Sequence, residues 1–325
     1  MLTIFNQDGT INEGAIRKMV SMQISGAIDG IFPVSTVGEF VHLDLSERKY
    51  LIDIVFDEVA GRVPVIPGCG ATCLTKSIEI ANYASEKGCA GVVLMAPYFY
   101  KTPKDLIEKY ILSLANCVDI NIYLYNIPFF SNEIPPDLVE RVCSHPRIVG
   151  IKDSSGSMIN IANLIDMTKK IKPDFKVLTG AEETIFSTLV FGGDGCMTAA
   201  AGIIPELLRK IFDYFYTNQI EESRKTQLLI LKLIRLMKAP NFPIGYKLAL
   251  ETRGIPMGHL MQPPNKSQEQ LINRTREEIE IEMEKLLTDT AENVISNQVQ
   301  ISEEELSKII SKVISKIKKT GLSNE

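Results

Sequence analysis

The chain has 325 residues, of which 45% are hydrophobic and 23% charged, the balance of an ordinary globular protein with a sizeable core. Its net charge of -5 argues against nucleic acid as a partner, and no run of about 18 apolar residues predicts a membrane span. The six cysteines show neither a CxxC pair nor zinc-site spacing, so we expect no metal. Without a recognisable signal peptide, reduced thiols and a cytoplasmic location are expected.

Short β-rich runs alternate with amphipathic helical stretches over the first 205 residues. The predicted strands are Met1–Phe5, Gly30–Val34, Val63–Pro67, Gly91–Ala96, Ile120–Tyr125, Ile148–Lys152, Lys176–Thr179 and Gly195–Thr198. The predicted helices between them include Ser46–Ala60, Leu74–Lys87, Lys104–Ala115, Pro136–Ser144 and Ile159–Lys170. Strands that are each followed by a helix favour an α/β fold, a (β/α)8 TIM barrel, over the alternative of an open doubly wound sheet. The printed sequence begins almost inside the first strand, so this strand is either short or starts upstream.

After residue 205 the β signal stops, and the sequence predicts a C-terminal helical extension. Its predicted helices are Pro205–Asn218, Gln219–Lys238, Ile244–Arg253 and Lys266–Leu287. A polar linker over 289–300 then leads to a capping box, formed by Ser302 and Glu305, that opens a last amphipathic helix to about Lys318. We therefore expect a barrel over 1–205, a helical region over 206–287, and a linker with an extra helix over 288–325.

Lys152 is the first candidate for chemistry, because it ends an apolar strand where barrel enzymes carry their active sites. Burial disfavours the charged form of an amine, and a neutral amine can attack a carbonyl. The alternative is a lysine whose ammonium group extends from the strand end to solvent.

Two further features lie at strand ends. Tyr125 ends the preceding strand, where a phenol can move protons, although it can equally be a core tyrosine with a solvated hydroxyl. The turn that contains Thr36, Val37 and Gly38 can offer a hydroxyl and backbone N–H groups to a carboxylate, or can be a plain turn. The lone GxG at Gly68 lacks the rest of a dinucleotide-binding motif.

The motifs, taken together and in order, resemble the dihydrodipicolinate synthase/N-acetylneuraminate lyase superfamily of class I pyruvate-dependent aldolases. The resemblance runs from about residue 2 to about residue 285. It is carried by Phe5-Asn6-Gln7-Asp8-Gly9, Ser35-Thr36-Val37-Gly38-Glu39, Gly61-Arg62-Val63-Pro64-Val65-Ile66, Pro97-Tyr98-Phe99-Tyr100, Tyr125-Asn126-Ile127-Pro128 and Gly150-Ile151-Lys152-Asp153.

The resemblance implies a role for each matching residue. Lys152 is similar to the Schiff-base lysine and Tyr125 to the tyrosine that shuttles protons. Thr36, with the backbone around Val37 and Gly38, is similar to the carboxylate-binding turn. Further substrate-binding candidates match a hydroxyl of sugar-acid aldolases and an acidic pair of sialic acid lyases: Ser154, Glu182 and Glu183. The acidic pair has an alternative explanation, since acidic residues are common at an exposed helix N-terminus.

Departures from the family pattern narrow the predicted subgroup. Phe130 stands where synthases of the lysine pathway carry an arginine for a second carboxylate, and an aromatic ring cannot replace that bidentate partner. Phe99 replaces a tyrosine donated across a subunit interface, and Val37 replaces a second hydroxyl. Slight similarity in the segments 33–40 and 199–206 favours aldolases of the 2-keto-3-deoxygluconate type.

The resemblance therefore predicts cleavage of a 2-keto-3-deoxy sugar acid to pyruvate and an aldehyde, without a metal or organic cofactor, by a homotetramer. The alternatives within the same scaffold are a sugar-acid dehydratase and an N-acetylneuraminate lyase. A third alternative is a paralogue that binds a keto acid without turnover, because Val37 and Phe99 each remove a polar group.

Overall fold

The computed structural model describes the backbone of residues 1–298 and the side chains to Thr288. Met1–Glu282 form one compact unit, and a second unit begins at Met283. The boundary predicted at residue 205 falls inside the first unit, so it divides types of secondary structure rather than compact units. The amphipathic helix predicted from Ser302 lies outside the described residues.

The fold is the predicted (β/α)8 barrel. Its last five strands form a continuous parallel sheet in which neighbours in the chain are neighbours in space. These strands are β1 (Val92–Met95), β2 (Ile122–Asn126), β3 (Ile148–Asp153), β4 (Lys176–Thr179) and β5 (Gly195–Cys196). The side chains of β1 are all buried, as expected for a strand covered on both faces.

The second and third predicted strands pair more sparsely than the rest of the barrel. Ile31 forms an isolated parallel bridge with Val65, and Gly68 forms another with Val93 of β1. These bridges continue the order of the sheet from β1 back towards the N-terminal segments. Both segments therefore pair only through isolated bridges, and the strands predicted here were too long.

Prolines explain much of this shortening. Pro33, Pro64 and Pro67 lie in the two bridged segments, and proline has no N–H to donate to a neighbouring strand. Within residues 1–298, the first predicted strand forms no parallel ladder either, and its bridge is an antiparallel one between Phe5 and Ile11.

Helices follow the strands of the barrel and continue beyond it. Their bounds are α1 (Glu13–Ser25), α2 (Leu45–Val59), α3 (Leu74–Lys87), α4 (Lys104–Cys117), α5 (Pro136–Val142), α6 (Met158–Ile171), α7 (Ile185–Val190), α8 (Pro205–Tyr216), α9 (Ile220–Leu229), α10 (Leu231–Lys238), α11 (Ile244–Glu251) and α12 (Lys266–Gln298). Within residues 1–298, no helix combines the length and the apolar character needed to cross a lipid bilayer.

Two C-terminal predictions need correction. The single helix expected over Gln219–Lys238 is divided into α9 and α10, which meet at Ile230. The last helix does not end at Leu287 but continues to Gln298, so that most of the predicted polar linker is helical. The segment 289–298 is polar but contains neither glycine nor proline, the residues that most strongly end a helix.

Candidate active site

Lys152 and Tyr125 lie side by side at the ends of neighbouring strands. The register of the sheet pairs Tyr125 of β2 with Lys152 of β3. Both side chains are buried, with exposed fractions of 7% for Lys152 and 5% for Tyr125. The amine Nζ lies 4.2 Å from the centroid of the Tyr125 ring and 5.2 Å from that of Phe32. The amine is thus removed from bulk solvent and lies over the Tyr125 ring, while the catalytic roles of the two residues stay a prediction.

The residues that follow this pair hold the strand ends together from the opposite face. Asn126 donates from Nδ2 to the Asp153 carboxylate at 2.7 Å, and its Oδ1 accepts from the N–H of Ile134. Asp153 also accepts from the N–H and the hydroxyl of Ser155. Because alternate residues of a strand point to opposite faces, this network fixes the strands without occupying the side of Lys152. Both Asn126 and Asp153 belong to the family motifs, yet no role was predicted for them.

The turn between Ser35 and Phe40 contains an unused polar group. The Thr36 hydroxyl is buried and has no hydrogen-bond partner among the described residues, which makes it available to a ligand. The backbone N–H of Val37 likewise donates to no backbone carbonyl of the described residues. The N–H of Gly38 is different, because it donates to the carbonyl and the hydroxyl of Ser35 at 3.0 and 3.2 Å. The turn itself uses this donor, and binding of a carboxylate by the Gly38 amide stays a prediction.

Gly180, at the end of β4, leaves the space that the Lys152 side chain occupies. A Cβ atom at this position would lie 1.8 Å from the Ser154 hydroxyl and 2.6 Å from Lys152 Cε. The Gly180 N–H donates to the carbonyl of Asp153, so the backbone is held close to β3. Only glycine fits here. This role was not predicted from the sequence, because a glycine after a strand is also typical of an ordinary turn.

The two predicted acidic residues, Glu182 and Glu183, are already engaged by the protein. The buried Glu182 carboxylate accepts from the N–H groups of Ala199 and Ala200 at 3.2 and 3.3 Å. Glu183 is more exposed and forms an ion pair with Lys238 at 2.7 Å. Glu182 therefore stabilises the turn that starts at Ala199, rather than presenting a free carboxylate. Lys238 also lies 3.7 Å from Glu182 Oε2, so this exposed side chain contacts both carboxylates.

One cavity of about 1180 Å³ connects these groups. Its lining includes Lys152, Tyr125, Thr36, Val37, Ser154, Glu182 and Glu183. Aromatic residues also line it, among them Phe130 and Phe242, whose ring centroids are 5.4 Å apart. Among the described residues, no three histidine, cysteine or carboxylate side chains gather closely enough to hold a metal ion.

Two further aromatic residues, Tyr246 and Phe99, differ in their relation to the cavity: Tyr246 lines it. Burial, followed by the charge of Glu182, raises the pKa of Tyr246, so this phenol stays protonated. Phe99 is 86% exposed and has a positive φ of 80°, a backbone conformation that is uncommon for residues other than glycine. Phe99 does not line the cavity within the described chain.

A parallel barrel with a buried lysine, a phenol and an unpaired hydroxyl around one cavity has the parts of an enzyme that acts on a carbonyl compound. Residues 1–283 match the dihydrodipicolinate synthetase family, and the chain belongs to this family. It is a member of a superfamily of lyases and aldolases.

Individual relatives differ in the activities they are named for. The chain is 32% identical over 258 residues to 4-hydroxy-tetrahydrodipicolinate synthase of Pelobacter propionicus, covering 79% of this chain and 88% of that protein. It is 30% identical over 264 residues to a probable 2-dehydro-3-deoxy-D-pentonate aldolase, YjhH, of Escherichia coli, covering 80% of this chain and 87% of the relative.

A solved structure shares the fold over most of its length. The crystal structure of YagE, a prophage protein of the dihydrodipicolinic acid synthase family from Escherichia coli K12 in complex with pyruvate, has a TM-score of 0.82 and 26% sequence identity. The similarity covers 87% of this chain and 96% of that one. The shared fold agrees with the barrel described above.

Proposed function

We propose that the protein is a class I aldolase that cleaves a 2-keto-3-deoxy sugar acid to pyruvate and an aldehyde. The observation that carries this proposal is the buried Lys152 amine, 4.2 Å from the ring centroid of Tyr125. An amine in that position can attack the C2 carbonyl of a keto acid, and the phenol can transfer the protons that the attack requires.

The proposed reaction proceeds through an imine. Lys152 Nζ adds to C2, the former carbonyl oxygen leaves as water, and a protonated imine forms. The C4 hydroxyl loses its proton, the C3–C4 bond breaks, and its electron pair moves into the imine to give an enamine and a free aldehyde. The enamine takes a proton at C3, and water then hydrolyses the imine to release pyruvate and the amine. Tyr125 transfers protons in these steps, and no metal or organic cofactor takes part.

Residues that line the same cavity can bind the carboxylate end and the hydroxyl-bearing end of the substrate. The Thr36 hydroxyl and the Val37 N–H have no protein partner among the described residues, which suits them to the substrate carboxylate. Ser154 and Glu183 lie along the cavity where sugar hydroxyls can reach them. Glu182 supports this side from within the protein, since its carboxylate is bound to backbone N–H groups.

The lysine-pathway reaction fits this site less well. The aldehyde of that pathway carries a carboxylate, which requires a cationic partner, whereas Phe130 of this chain packs against Phe242. Relatives of similar identity are named for both reactions, so the choice of the sugar-acid reaction rests on Phe130 and not on relatedness. A sialic acid lyase or a sugar-acid dehydratase would use the same imine, the latter expelling a hydroxyl instead of breaking a carbon–carbon bond.

Trapping with borohydride tests the proposal. Protein treated with pyruvate and borohydride is expected to gain the mass of one reduced pyruvate adduct on Lys152, and Lys152→Ala is expected to gain none. Cleavage of 2-keto-3-deoxygluconate and N-acetylneuraminate, followed by pyruvate release, then separates the candidate reactions. An adduct without cleavage of any substrate would instead indicate a protein that binds keto acids without turnover, as the valine at position 37 and the phenylalanine at 99 suggested.

We also propose a homotetramer located in the cytoplasm. The exposed aromatic side chains of Phe99 and Tyr100 support burial against another subunit, because large apolar side chains that lie side by side on a surface often mark an interface. Light scattering that gives the mass of a single chain would contradict the tetramer.

A further inference from the structure

A buried ion pair lies behind the turn that contains Thr36. Glu39, at the far end of this turn, contacts Lys247 of α11. The Lys247 side chain is fully buried and that of Glu39 is 10% exposed. Apart from each other, neither Lys247 Nζ nor Glu39 Oε2 has a hydrogen-bond partner among the described residues, so each is the main counter-charge of the other.

Burying this ion pair costs free energy compared with burying apolar side chains in the same place. Moving two charges out of water costs several kcal/mol per ion, and well-packed apolar residues of similar size often stabilise a fold as well or better. Lys247 Nζ also lies over the Phe5 ring, 5.0 Å from its centroid, and this cation–π contact offsets only part of that cost. Burial lowers the pKa of Lys247, while the neighbouring Glu39 charge opposes that shift. Stability alone is therefore a weak explanation for this pair.

The backbone around Glu39 connects the pair to the substrate-facing side of the turn. Glu39 has a positive φ of 57°, and its N–H donates to the carbonyl of Thr36 at 3.0 Å. Its own carbonyl accepts from the N–H of His42 at 2.9 Å. A displacement of Glu39 would therefore be transmitted directly to Thr36, whose hydroxyl is unpaired.

We propose that Glu39 and Lys247 form a positioning pair that holds the Thr36 turn in the geometry needed for the carboxylate of the keto acid. Neither residue lines the cavity within the described chain, so the pair acts through the turn and not by touching substrate. The α11 helix supplies the fixed point, because its residues 244–250 are all buried. This inference rests on the proposed function, since it assigns the turn to a substrate carboxylate.

Three variants test the pair: Glu39→Gln, Lys247→Met and the double variant. The measurement is the pyruvate concentration at which borohydride trapping is half-maximal, together with the trapping rate at saturating pyruvate. We expect each variant to raise the half-maximal concentration about ten- to hundredfold, the effect of losing a hydrogen bond to a charged group. The rate at saturation should change less than about threefold, because Lys152 itself is not displaced.

The double variant separates positioning from folding. Removing both charges avoids an unpaired buried charge, so the double variant should recover thermal stability that the single variants lose. It should not recover the affinity for pyruvate, because the ion pair that holds the turn to α11 is still absent. Glu282→Gln provides a matched control, since it breaks another ion pair with a buried carboxylate, 2.5 Å from Lys232, without touching the turn.

The outcomes are distinct. The pair has no positioning role if the folded variants trap pyruvate with the wild-type concentration dependence, or if affinity returns together with stability in the double variant. An equal loss of affinity in Glu282→Gln would also exclude a positioning role, because that ion pair does not touch the turn. If the wild type itself forms no adduct, the proposed function is wrong and this inference is wrong with it.

Discussion

The two sides of the cavity differ in what their polar groups are doing. On the side proposed for the keto acid, which includes Lys152, Tyr125 and Thr36, the amine lies over the Tyr125 ring and the Thr36 hydroxyl has no protein partner among the described residues. On the side proposed for the aldehyde, which includes Glu182, Glu183 and Phe130, the carboxylates already bind protein groups and the Phe130 ring is half exposed. A site whose polar groups lack partners is built for one ligand, whereas a satisfied and partly exposed side can accommodate several. If the proposed reaction is correct, we therefore expect closer selection of the keto acid than of the aldehyde.

The largest effect is expected on the keto-acid side, from Tyr125→Phe. Loss of the phenol removes the proposed proton transfer and should lower kcat for cleavage about 10²- to 10⁴-fold. Tyr110→Phe is a matched control, because Tyr110 is also buried and its hydroxyl contacts Ser77 at 2.7 Å, outside the cavity. Steady-state kinetics of pyruvate release would measure both, and equal rates for the two variants would remove Tyr125 from the mechanism.

Gly180→Ala should also disable the keto-acid side without removing any functional group. The new methyl group would collide with the Ser154 hydroxyl and with Lys152 Cε, and a displacement of about 1 Å in a reacting group can cost about 10²-fold in rate. Gly14→Ala is the control, since its Cβ would meet only Asn12 Oδ1 at an ordinary 3.7 Å. If Gly180→Ala traps pyruvate at the wild-type rate, the Lys152 side chain does not need that space.

Thr36→Val should separate ligand binding from stability. Because the Thr36 hydroxyl has no partner in the free protein among the described residues, valine should leave the Tm unchanged or raise it. The half-saturating pyruvate concentration should rise about ten- to hundredfold through the lost hydrogen bond to the carboxylate. Thr168→Val is the control: it should lower the Tm and leave pyruvate binding unchanged. The buried Thr168 hydroxyl donates to the carbonyl of Leu164 at 2.6 Å within α6. Thermal melts and borohydride trapping would measure the two quantities, and unchanged pyruvate binding in Thr36→Val would contradict the assigned contact.

Much of the barrel could be predicted from sequence because its signals are local. The apolar runs of β1 to β4 and the intervening amphipathic helices are periodic patterns, and they place Lys152 and Tyr125 at strand ends without knowledge of tertiary contacts. The second and third strands were predicted too long, because the apolar character of their residues outweighed the prolines among them. The structure gives them only isolated bridges.

The parts of the site that could not be predicted depend on contacts between distant segments. Glu182 reaches backbone N–H groups 17 and 18 residues further along the chain, so its sequence neighbours do not reveal that its carboxylate is occupied. The tight space at Gly180 and the pairing of Glu39 with Lys247 are likewise products of the closed barrel. Hydrophobic periodicity carries no information about either.

The smallest effect is expected on the aldehyde side, from Glu183→Gln. Its ion pair with Lys238 is partly exposed, and such pairs contribute less than about 1 kcal/mol to the free energy of unfolding. Pyruvate trapping should therefore be unchanged, while the relative cleavage rates of sugar acids that differ in their hydroxyl groups should shift by a few fold. Glu221→Gln is the control, because it breaks a similar exposed pair with Arg224 that does not line the cavity within the described chain. If both variants cleave every sugar acid at wild-type relative rates, Glu183 does not contact the substrate, and selectivity on this side has to come from shape and from residues such as Ser154.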